Sequence, residues 1–113
     1  MANKRKAKEK VERGSTNVFA DLGYRDAGER QTKLRLAHTI NETVAEQGLT
    51  QHATAQKLGT SQPKVSALAN YQLEGFSVER LMTFLTALDK DVDIVVRRKP
   101  RSRSTARISV IAA

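Results

Sequence analysis

The chain has 113 residues, room for one domain with a small core, and its lack of cysteine excludes disulfide staples, thiol nucleophiles and cysteine-based zinc sites. Twenty Lys and Arg against 12 Asp and Glu give a formal net charge of +8 that sits at the ends: residues 1–13 carry +4 and residues 97–107 carry +6, which leaves −2 for the middle. No run approaches the roughly 18 apolar residues of a membrane span, and no apolar signal core follows the basic start, so the expectation is a cytoplasmic protein without a membrane partner.

In chain order, residues 1–16 read as a basic arm able to attract a polyanion or to serve as a solubilising tail. NVFADLGY, residues 17–24, suits either a short helical turn capped by Asn17 and ended by Gly23, or a short strand. Asp26 and Glu29 then have capping-box spacing and open a predicted helix of about twenty residues. Its apolar stripe is Leu34, Ala37, Ile40 and Val44, and Gly48 ends it. Thr50 caps a short helix from Gln51 to Leu58 that Gly59 terminates, and Ser61 caps a third with Pro63 in its first turn. After a looser segment, Ser77 starts a fourth helix with a stripe of Val78, Leu81, Leu85 and Leu88, flanked by Met82 and Phe84.

The period changes to two at Val92, so residues 92–97 are predicted to form a strand. ARISVI near the end reads as a second strand or as an unstructured tail within a basic segment 99–113. A lone strand leaves its backbone groups unpaired, and the economical remedy is pairing with its own copy across a two-fold axis. Val92, Ile94, Val95 and Val96 would then line a homodimer interface; pairing with residues 17–22 or 106–111 of the same chain is the alternative. The expected fold is mainly α: a helix-turn-helix bundle of four to five helices over residues 17–98, with a C-terminal β-strand paired across a dimer.

QHATAQKLGTSQPKVSAL, residues 51–68, is the specific part. Two short helices joined by a tight turn need a small fifth residue, a ninth that tolerates a left-handed backbone, and apolar residues at the eighth, fifteenth and eighteenth. Ala55, Gly59, Leu58, Val65 and Leu68 fill those places. The outward positions Gln62, Lys64, Ser66 and Ala67 are small or hydrogen-bonding. No acid occurs among the 27 residues between Glu46 and Glu74, so negative charge is missing where phosphates would lie.

These residues resemble the Cro/CI-type, or XRE, helix-turn-helix regulators. The phrases at Leu49–Gln51, Leu58–Gly59, Gln62–Ser66 and Gly75–Leu81 resemble more closely the HigA-like antitoxin branch. The resemblance implies a homodimer on double-stranded operator DNA, no cofactor, and in the closer branch a RelE- or HigB-like toxin partner. It places DNA-backbone contacts at Gln51, Ser61, Asn70 and Tyr71, and base contacts at Gln62, Lys64, Ser66 and Ala67. Gln62 suits adenine N6 and N7, Lys64 guanine O6 and N7 or a phosphate, and Ala67 a thymine methyl. Classical members often carry a glycine directly after the position of Asn70, where this chain has Tyr71.

An enzyme is not indicated: no glycine-rich phosphate loop is present, and neither His38 nor His52 stands at catalytic or metal-site spacing, so both read as surface or packing residues. Three readings compete. They are a regulator of its own operator that also masks a toxin, a stand-alone transcriptional regulator, and a helical protein-interaction adaptor.

Overall fold

Each helix lies where local stereochemistry allows it to start and stop. The computed structural model describes the backbone at residues 12–13 and 16–112, with side chains from Gly28 to Ala112. Its helices are α1 (Val18–Glu46), α2 (Gln51–Leu58), α3 (Gln62–Ala69) and α4 (Val78–Ala87), preceded by a two-residue antiparallel pair, β1 (Glu12–Arg13) and β2 (Thr16–Asn17). The rest of the expected basic arm lies outside the described residues. Two compact units divide the chain, residues 1–31 and 32–113.

The first unit corrects one expectation. Asn17 directly precedes α1, but the helix passes through Gly23 and through the DAGE segment without a break. An interior glycine costs a helix only about 1 kcal/mol, and a capping box matters only where a helix begins.

In the second unit the three short helices start on hydroxyls. Thr50 Oγ1 accepts from Ala53 N at 3.1 Å, Ser61 Oγ from Lys64 N at 3.4 Å and Ser77 Oγ from Arg80 N at 3.0 Å. All four helices stop in the same way. A residue with positive φ follows the last turn, and the next two amides fold back onto its carbonyls: Gly48 and Leu49 after α1, Gly59 and Thr60 after α2, Tyr71 and Gln72 after α3, Asp89 and Lys90 after α4. Glycine adopts this conformation at no steric cost, whereas Tyr71 at φ 59° and Asp89 at φ 66° do not. The exposed Asp89, whose carboxylate lies 4.0 Å from Lys57 Nζ, offers a test. Asp89→Gly should stabilise the protein by about 0.5 to 1 kcal/mol, read as a higher midpoint in urea unfolding; an unchanged or lower midpoint would show that the strain relieved is no larger than the added chain entropy of glycine and the lost pairing with Lys57.

The core is built from Leu36, Ala37 and Ile40 of α1, Leu58 of α2, Leu68 of α3, Leu73 and Phe76 of the following loop, and Leu81, Phe84, Leu85 and Leu88 around α4. Leu34, expected in the α1 stripe, is exposed, and Leu36 takes its place beside Ala37 and Ile40. Side chains of α1 and of the residue just after it also hold the far ends of two other helices: Asn41 Nδ2 donates to Leu68 O at 3.2 Å, and Gln47 Nε2 to Leu88 O at 3.0 Å.

The strand expected at residues 92–97 is not formed. Residues 91–112 contain no strand, and among the described residues no backbone hydrogen bond involves residues 91–99. A period of two establishes which side chains share a face, but a strand also needs a neighbour to complete its ladder. Val92 packs against the core, while Ile94, Val95 and Val96 are exposed. The intrachain partners fail too, since residues 18–22 are helical and 106–111 are irregular. The C-terminal segment returns to the helices: Val110 packs on the core and its carbonyl accepts Arg35 Nη1 at 3.4 Å.

Candidate nucleic-acid interface

The crossing of α2 and α3 decides which side chains face outward. Ala55, Leu58, Val65 and Leu68 are buried at that crossing, and Gly59 takes the left-handed turn at φ 70°, as the spacing predicts. Ala55 lacks the side chain that would hold the two helices apart. With those positions turned inward, Ser61, Gln62, Pro63 and Lys64 are exposed at the start of α3, and Gln51 and His52 at the start of α2.

Neither α2 nor α3 has an acidic residue in its first turn, whereas α4 has Glu79. Free amide hydrogens and the positive end of the peptide dipoles at such a terminus favour an anion. Together with the acid-free stretch 47–73, this gives a face suited to phosphate, with Gln51 and Ser61 placed at the two helix starts.

The structure treats the expected base-reading residues differently. Gln62 is exposed, and its Nε2 lies 3.0 Å from His52 Nδ1. Lys64 is turned toward the loop before α4: its Nζ donates to Gly75 O at 3.2 Å and lies 4.9 Å from the centre of the Phe76 ring. Ser66 is half-buried, and Ala67 packs partly against the core. Gln62 is therefore the expected reader that stands furthest from competing packing.

At the other end of α3, Asn70 Nδ2 donates to Ser66 O at 2.9 Å, so its amide nitrogen closes the helix while its side chain stays exposed. Tyr71 occupies the left-handed position with its hydroxyl 3.4 Å from His38 Nδ1, and His38 Nε2 lies 3.2 Å from a Glu42 carboxylate oxygen. The glycine common at this point in classical members thus has a reason, because the helix stop demands positive φ whatever residue supplies it. Sequence reasoning missed the hydrogen-bond partners of both histidines. For His52 a signal existed: the second residue of one short helix and the first of the next are brought side by side by the turn between them.

Among the described residues no group of acids and histidines is arranged to hold a metal ion, and no helix is long and apolar enough to cross a membrane.

Comparison with known proteins fits this geometry. Residues 18–97 match a family described as a helix-turn-helix domain. A solved structure described as an XRE family transcriptional regulator is 67% identical, with a TM-score of 0.75 over 78% of this chain and 99% of that one. No curated protein matches the chain. With most of its length matched on both counts, and with the turn residues placed as described, the chain belongs to the XRE-type helix-turn-helix family, whose members are DNA-binding regulators and not catalysts.

Proposed function

We propose that this protein is a sequence-specific regulator of transcription that lays α3 in the major groove of its operator and reads bases chiefly through Gln62. The observation that carries this reading is the exposed start of α3, held by the buried Ala55, Val65 and Leu68 within a stretch free of acids. Gln51, Ser61, Asn70 and Tyr71 flank it as phosphate contacts. Ser66 is a secondary base contact. Lys64 reaches a base or phosphate by leaving Gly75, and Ala67 offers a thymine only the part of its methyl that the core leaves open. A stand-alone regulator is the reading best supported. The antitoxin-like role rests on the phrases shared with that branch, and a small toxin gene beside this one would favour it. Binding as a homodimer is supported by the exposed apolar run Ile94, Val95 and Val96, surface that a second copy can cover. Location in the cytoplasm accords with a partner that is DNA.

The test uses a duplex enriched from a randomised pool and a scrambled duplex at the same salt concentration. Gln62→Ala should lose about 1 to 3 kcal/mol of discrimination between them, while Gln51→Ala should weaken both alike. Equal losses for Gln62→Ala would remove it as a base reader. A chain acting only as a protein adaptor would bind neither duplex and would tolerate Gln62→Glu and Lys64→Glu.

A further inference from the structure

A glutamine facing a groove is an ambiguous reader. Several side-chain torsions let it swing, and a half-turn of the amide exchanges its donor and acceptor. In this protein that freedom is restricted before any DNA arrives. His52 lies at the second position of α2 and Gln62 at the first of α3, both exposed, and the Nδ1 and Nε2 atoms are 3.0 Å apart.

In the tautomer that carries its hydrogen on the ring Nε2, the His52 imidazole accepts at Nδ1 and takes one of the two hydrogens on the amide nitrogen of Gln62. The second hydrogen and the lone pairs of Oε1 remain available. Those are the groups a glutamine needs for adenine, donating to N7 and accepting from the N6 amine. The hydrogen bond to His52 thus leaves the reading groups free while placing the nitrogen on the α2 side and the oxygen away from it. Ordering the side chain in advance also reduces what must be immobilised on binding.

We propose that His52 is a positioning residue for base recognition: its Nδ1 sets the side-chain orientation and donor–acceptor order of Gln62, and thereby the base pair that Gln62 prefers. This rests on the reading of Gln62 as a base contact. His52 itself need touch no base. No such role attaches to His38, whose Nδ1 faces the Tyr71 hydroxyl at the other end of α3.

The experiment uses the full chain and a duplex pool with a randomised core, from which wild type, His52→Ala, His52→Asn, Gln62→Ala and the double alanine variant each select. The readout is the preference at each base pair, with affinity for a scrambled duplex and the unfolding midpoint measured in parallel. Gln62→Ala should flatten the preference at one base pair of a half-site. His52→Ala should weaken the preference at that same base pair by about 3- to 10-fold, the scale of one net hydrogen bond, with scrambled-duplex affinity and unfolding unchanged. His52→Asn should restore it, because the asparagine carbonyl falls close to the place of Nδ1. The double variant should match Gln62→Ala alone, since two residues acting through one base do not add.

If Gln62→Ala changes the profile and His52→Ala does not, His52 does not position Gln62, although Gln62 still reads. A change at a different base pair would make His52 a reader in its own right and overturn the proposal. Equal loss on selected and scrambled duplexes with an unchanged profile would make it a phosphate contact, also against the proposal. A profile unaffected by Gln62→Ala would remove the base reading first and the positioning role with it.

Discussion

Phe84→Ala is expected to cost about 3 to 5 kcal/mol, enough to leave a marginally stable domain largely unfolded at physiological temperature. Phe84 is only 1% exposed and among the largest fully buried side chains. Its ring meets Phe76 edge to face with centroids 6.0 Å apart and planes at 74°, and the Arg80 guanidinium carbon lies 5.1 Å from its centre. Truncation therefore opens a cavity, strips Phe76 of its partner, and leaves the loop between α3 and α4 without its inner support. Ile108→Ala is the control: at 83% exposure it should leave stability within about 0.5 kcal/mol. Urea denaturation followed by circular dichroism measures both, and a loss below about 1 kcal/mol for Phe84→Ala would mean that the core closes over the gap.

The second large effect concerns charge. Deleting residues 1–10 or replacing Arg101, Arg103 and Arg107 by alanine should lower affinity for non-specific duplex on the order of tenfold or more at low salt. The slope of log affinity against log salt should flatten by about 0.9 for each phosphate that the protein no longer neutralises. The preference for the selected duplex should survive, because Gln62 lies outside both arms. Substitution suits the C-terminal arm better than deletion. Val110 covers part of the core and accepts from Arg35, and Lys99 Nζ donates to the carbonyls of Pro100 and Arg103, so cutting the segment away would disturb packing as well as charge. Binding titrations at several salt concentrations decide the matter. Unchanged slopes would make the arms bystanders, and a collapsed preference would show that an arm reads sequence.

The parts of the fold legible in the sequence are those decided within a few residues. Thr50, Ser61 and Ser77 cap the helices they precede, Gly48 and Gly59 close the helices they follow, and Ala55, Leu58, Val65 and Leu68 meet where the spacing requires. Legibility fails where distant groups decide. The rotation of α1 about its axis, which buries Leu36 and exposes Leu34, depends on what packs beside it. A capping-box spacing at Asp26 cannot announce that the helix has already begun at Val18. The run from Val92 to Val96 alternates as a strand does, yet its pattern says nothing of who completes the ladder. In the candidate site, the exposed start of α3 was readable. The orientation of Lys64, the half-burial of Ala67 and the partner of Gln62 depend on residues about ten positions away or on the core itself.

Gly75 gives one of these long-range effects a bearing on how such sequences diverge. A Cβ added there would stand 3.0 Å from Lys64 Nζ, tighter than an ordinary contact, so the end of the lysine side chain would have to give by a few tenths of an ångström. Positions 64 and 75 are therefore coupled through this contact. A lineage that acquires alanine or serine at 75 crowds the ammonium, loosening its hold on the carbonyl of residue 75 and its seat beside Phe76. Change in what α3 presents can thus begin with a substitution in the loop that follows it.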